Sequence, residues 1–141
     1  MQAERKRLAR LTRLERVRAI AKQAAATAAA EAEGTLSQLE RLAARTGQMV
    51  TDYGTRADAA DGLALRQLSR FVDGLQGIAT STEADARRAR TIADGKQAEL
   101  AAAERRRAAV EDRIGQQARS IAAKAQPPVL GTRRGFGTGL E

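Results

Sequence analysis

Glu31, Glu33, Glu40, Asp52 and Asp73, five of the 17 acidic residues of this 141-residue chain, are side chains with which it could attempt acid–base or metal chemistry. Such chemistry needs them held in a water-restricted pocket by supporting groups. Scattered among Ala and Arg, they read instead as a solvated helix face. The chain has no Cys, His or Trp. That excludes a thiol nucleophile, a disulfide framework, a Cys/His zinc site and a His-based triad. Near the C-terminus, Gly131-Thr132-Arg133-Arg134-Gly135-Phe136-Gly137-Thr138-Gly139 superficially resembles a phosphate loop, but no GK[ST] follows and no strand precedes. Neither enzymatic activity nor a cofactor is expected.

Binding is the remaining function class, and the charge distribution points to where. Net charge is +8, but residues 1–22 alone carry +6 and residues 104–141 carry +4, leaving −2 between them. The first segment holds Arg5, Lys6, Arg7, Arg10, Arg13, Arg16, Arg18 and Lys22; the second includes Arg105, Arg106, Arg107, Arg113, Arg119 and Lys124. If the chain folds back on itself, the two segments become one basic end.

The composition supplies the element that would do this. Ala dominates the 43% hydrophobic content, only Tyr53, Phe71 and Phe136 carry rings, and both prolines fall in the last fifteen residues. Such a chain cannot fill a thick core but is free to form long helices, which is the composition of a coiled coil. From Leu65 an alternating step of three and four runs without a slip through Leu68, Val72, Leu75, Ala79, Thr82, Ala86, Ala89, Ala93, Lys96, Leu100, Ala103, Arg107, Val110, Ile114, Gln117, Ile121 and Lys124. That is a heptad seam, with small Ala permitting close approach at its middle and polar residues fixing register. The N-terminal half carries a looser stripe: Leu11, Leu14, Val17, Ala21, Ala24 and Ala28, then Ala32, Leu36, Leu39, Ala43, Thr46, Val50 and Tyr53. Two consecutive fours at 28–32–36 break the phase.

The pattern predicts helices over about 3–53 and 63–125, a bend at 54–62 and a flexible basic tail at 126–141. Gly54 suits a left-handed helix end, and Asp58 or Asp61 an N-cap for the second helix. Pro127-Pro128 would stop that helix. A short polar connection between amphipathic helices implies an all-α fold, a long antiparallel two-helix coiled-coil hairpin. One continuous helix pairing with another molecule is the competing arrangement. No apolar run is long enough to span a bilayer, and Arg interrupts residues 8–20 too often for a signal peptide, so a cytoplasmic monomer is expected.

Two surfaces suit partners. The basic end could meet nucleic-acid phosphates, but it offers no rings for base stacking, so an acidic protein surface is the favoured partner. Phe71 and Ile78 sit seven apart, one position before the seam residues Val72 and Ala79, and form a second apolar column. That column is either a widened core near Met49 and Tyr53 or a partner patch.

The layout resembles the FliJ family, the small soluble component of the flagellar type III export apparatus. The resemblance covers roughly residues 8–125 and rests on the basic, Leu-rich start, Tyr53 in MVTDYGTRA, the Gly-containing bend, and LRQLSRFVDGLQGI opening the second helix. The charged second half of that helix, with ELAAAERRRAAVE, is similar too. It implies a stalk like the γ-subunit of rotary ATPases, whose joined termini enter the export ATPase ring and promote its assembly and activity. It also implies contacts with the membrane-embedded export gate and with export chaperones. The family's gate-facing patch maps onto Phe71, Leu75, Ile78 and Thr82, of which Ile78 and Thr82 depart from the family pattern. Arg7, Arg10, Arg13, Arg105, Arg106 and Arg113 would present charge to the ring, while Leu11, Leu14 and Val17 with Val110, Ile114 and Ile121 would hold the termini together. A virulence-type secretion stalk, a nucleic-acid-binding coiled coil and a structural dimer are the rival readings.

Overall fold

The computed structural model describes residues 1–55 and 61–126. They form two helices, α1 (Gln2–Gly54) and α2 (Gly62–Ala125). Ala, Leu, Arg, Glu and Gln are strong helix formers, and no proline interrupts either segment. At 1.5 Å per residue the helices are about 80 and 95 Å long.

Local chemistry sets the ends. Asp61 is extended (φ −155°, ψ 178°) and its carboxylate accepts the Ala64 N–H at 2.7 Å, so it is the N-cap of α2. Asp58, the other candidate, lies outside the described residues. The left-handed end expected at Gly54 is not formed. Gly54 is the last helical residue, Thr55 follows in a right-handed conformation (φ −90°, ψ −4°), and no described residue has positive φ. Thr55 satisfies the helix end itself, its N–H donating to the Thr51 carbonyl at 3.2 Å and its hydroxyl to the Asp52 carbonyl at 3.1 Å. At the far end Gln126 turns extended (φ −70°, ψ 126°), the backbone a following proline imposes. The predicted tail from Pro127 onward lies outside the described residues.

The two helices pack along their length as an antiparallel hairpin. Lys124 pairs with Glu4, Arg107 with Glu15, Arg90 with Glu40, and the Phe71 ring with Tyr53. Partner numbers fall as the first helix advances, which fixes the direction. Every buried residue of α2 (Leu75, Ala79, Thr82, Ala89, Ala93, Ala103, Val110) stands on the heptad seam read from the sequence. At mid-length Leu36 packs with Ala89 and Ala93, flanked by Ala32 and Leu39, and Ala93 is 0% exposed. A large knob against two small residues lets the backbones approach, as an Ala-rich seam requires.

The first half of α1 departs from the expected stripe. Its inward side is a single unbroken heptad column: Glu4, Leu8, Leu11, Glu15, Arg18, Lys22, Ala25, Ala29, Ala32, Leu36, Leu39, Ala43, Thr46, Val50 and Tyr53, all buried or half-buried. The phase break at 28–32–36 does not exist. Val17, expected to hold the termini together, is 60% exposed, and Ala21 and Ala24 also face outward. Leu11 on the seam and Leu14 at its edge are half-buried, and Leu8 joins them in place of Val17, with Ile114 and Ile121 half-buried on α2. The physical reason is continuity. Packing along α2 holds one seam phase, and the phase set by Ala29 to Tyr53 carries Glu15, Arg18 and Lys22 inward.

Candidate interaction surfaces

The charged seam positions pair across the helices at the terminal end. Arg107 Nε donates to Glu15 Oε1 at 3.2 Å and lies 3.1 Å from Glu111 on its own helix. Lys124 Nζ donates to Glu4 Oε1. That hydrogen bond, followed by the nearby positive charges of Lys124, the N-terminal amine and Arg7, holds the Glu4 carboxyl below the ordinary carboxylate range. Glu4 sits in the first turn of α1 and Lys124 in the last turn of α2, so each also opposes the partial charge of its own helix end. Glu4 Oε2 and Arg18 Nε are buried with no hydrogen-bond partner among the described residues. The seam polarity that the sequence placed on α2 alone, at Lys96, Arg107, Gln117 and Lys124, therefore has a charged counterpart on α1. The signal that would have found it is the heptad phase extrapolated backward from Tyr53, against the local run of apolar residues.

This pairing joins the start of α1 and the end of α2 into one basic surface. Arg7, Arg10, Arg13, Arg105, Arg106 and Arg113 are all exposed there. Arg7 and Arg113 are brought together, lining one shallow groove with Leu11, Gln116, Gln117 and Ser120. Arg13 lies instead on the outer face of α1, with Arg5, Thr12 and Arg16 around a second shallow dent.

At the bend end the four patch residues separate. Phe71 is 47% and Ile78 55% exposed, whereas Leu75 and Thr82 are buried in the seam. The Thr82 hydroxyl donates to the Ile78 carbonyl one turn back at 2.8 Å, so its polarity is satisfied inside the helix. A partner can reach only the first pair. Phe71 also packs edge-to-face on Tyr53, ring centroids 5.0 Å apart at 82°. Phe71 therefore sets one ring edge against α1 and leaves the rest of its surface exposed.

Steps of seven from Phe71 continue through Ile78 and Asp85 to Ile92, then Glu99, Arg106 and Arg113. Ile92, 58% exposed, was missed as part of this column because Asp85 interrupts it. The corresponding column of α1 runs from Arg7 through Leu14 to Leu42 and Met49. Arg7 and Arg113 share a groove, so both columns lie on one flank, apolar toward the bend and basic toward the termini. The opposite flank carries the Glu40–Arg90 pair with Glu83 and Arg87.

Among the described residues, no group of three or more acidic side chains is placed to share a metal ion, and no helix is long and apolar enough to cross a membrane. No protein-family description matches the chain, and no curated protein or solved structure is detectably similar to it.

Proposed function

We propose that this chain is a non-enzymatic stalk that couples an export ATPase ring to a membrane-embedded export gate, as its resemblance to the flagellar export component implies. Supporting this reading above all is the Glu4–Lys124 pair, which ties the start of α1 to the end of α2 and gathers arginines of both helices at one tip of a slender rod. A tip two helices wide suits a ring's central pore, and exposed Arg7, Arg10, Arg106 and Arg113 suit acidic side chains lining it. At the other end Phe71 and Ile78 would meet the gate, with chaperones as further partners, and the rod would work at the cytoplasmic face of the membrane. Leu75 and Thr82 would support that patch from the seam without touching the partner.

The test is stimulation of the cognate ATPase. Replacing Arg7, Arg10, Arg106 and Arg113 together by Glu should abolish it while leaving helicity intact. Unchanged ATP hydrolysis with the reversed variant would refute the ring-binding role. A flagellar and a virulence-type apparatus are distinguished by which ATPase co-purifies with the chain. A salt-sensitive shift of random duplex DNA at physiological ionic strength would instead favour the nucleic-acid reading.

A further inference from the structure

The first half of α1 is patterned inside out. Glu15, Arg18 and Lys22 face α2, while a stripe spaced three and four apart, Leu14, Val17, Ala21, Ala24 and Ala28, leaves Val17, Ala21 and Ala24 exposed and its two ends, Leu14 and Ala28, half-buried. Beside them Ile20 is 70% exposed, the most open of the large aliphatic side chains described. A stripe with this spacing is the pattern of a helix seam, and α2 leaves its middle, Val17, Ala21 and Ala24, uncovered. We propose that the stripe is covered by a second copy of this chain, α1 packing antiparallel against α1 about a twofold axis near residue 19.

Self-complementarity carries the choice of occupant. Antiparallel seam layers in this register set Leu14 against Ala24 and Val17 against Ala21, a large residue opposite a small one in each layer. Each layer occurs twice, as a twofold interface requires. Ile20 meets its own copy close to the axis. Arg7, which leads into the stripe, comes opposite Glu31, which ends it, so both edges of the interface gain an ion pair. A parallel pairing fails on the same residues, stacking Arg7, Arg10 and Arg13 on their own copies. The stripe adjoins Arg10 and Arg13, so a self-paired molecule cannot offer that end to another partner. The inference stands on the packing of α1 alone and does not rest on the ring or gate reading.

The experiment is sedimentation equilibrium of the full chain up to about 1 mM, a concentration that captures weak association. The expected result is reversible doubling of the 15.1 kDa mass, and return to a single copy in Val17→Glu/Ile20→Glu with unchanged helical circular dichroism. A single copy at every concentration overturns the proposal, and so does a dimer that survives the double substitution. Orientation is read in the cysteine-free background. Arg7→Cys mixed with Glu31→Cys should form the mixed disulfide several-fold faster than either forms its own, and faster homodisulfides would overturn the antiparallel register.

Discussion

The Arg107 guanidinium spans the hairpin seam, 3.2 Å from Glu15 on the facing helix and 3.1 Å from Glu111 on its own. Both Arg107 and Glu15 are partly shielded, so the pair sits between a surface ion pair and a buried one. Replacing Glu15 by Ala leaves a half-buried guanidinium with one partner in place of two, and should cost about 1 kcal/mol. Glu15→Leu/Arg107→Leu, which converts the layer to an apolar one, should be neutral or stabilising. Urea unfolding followed by circular dichroism checks both. A double-Leu variant well below the wild type would show that the ion pair itself holds the terminal end.

Mid-seam geometry predicts the opposite sensitivity. Ala93 has no exposed surface and packs with Leu36, so Ala93→Leu must force the helices apart and should cost about 1–3 kcal/mol. Leu36→Ala removes the facing knob and should cost about 2–3 kcal/mol. Thermal unfolding of the two variants measures this, and an undisturbed Ala93→Leu protein would mean that the helices are not closely apposed there.

These contrasts show what was legible in the sequence. In α2 the inward residues are the apolar ones, Leu75 to Val110, so counting hydrophobic periodicity found the seam directly. In α1 the same count followed Val17, Ala21 and Ala24 outward, because the inward column carries Glu15, Arg18 and Lys22. Local hydrophobicity and seam continuity disagree there, and packing along α2 enforces continuity. Of the site residues, the exposed arginines followed from charge arithmetic. The division of the bend patch into Phe71 and Ile78 outside, Leu75 and Thr82 inside, followed from position relative to the seam, since the first pair stands one residue before it.

That division is testable on both stability and binding. Phe71→Ala loses an edge contact with Tyr53 and should cost about 1 kcal/mol, whereas Leu75→Ala, buried in the seam, should cost about 2–3 kcal/mol. On the proposed function, Phe71→Ala and Ile78→Ala should abolish capture of the export gate by a folded protein. Intact gate binding in both variants would remove the patch from the account.

Acidification should loosen the terminal end first. Glu4 titrates below the ordinary carboxylate range because the Lys124 ammonium donates to its ionised form. Its contribution is therefore fully present above the unfolded carboxylate range and is lost as pH falls through the depressed folded value. Hydrogen exchange at residues 5–12 should quicken over that acid range, and Glu4→Gln should remove the dependence. An unchanged acid response in Glu4→Gln would assign it to other carboxylates.

The most direct test of the account is the separation of the two ends within one molecule. Arg7 and Ser120 line one groove, and with no native cysteine each can be replaced by Cys and spin-labelled cleanly. With wild-type chain in excess to dilute intermolecular pairs, dipolar spectroscopy should give a distance under about 25 Å, the spacing of adjacent helices plus two label tethers. A separation of about 100 Å or more, as in one uninterrupted helix, would contradict the hairpin and the joined basic tip built on it.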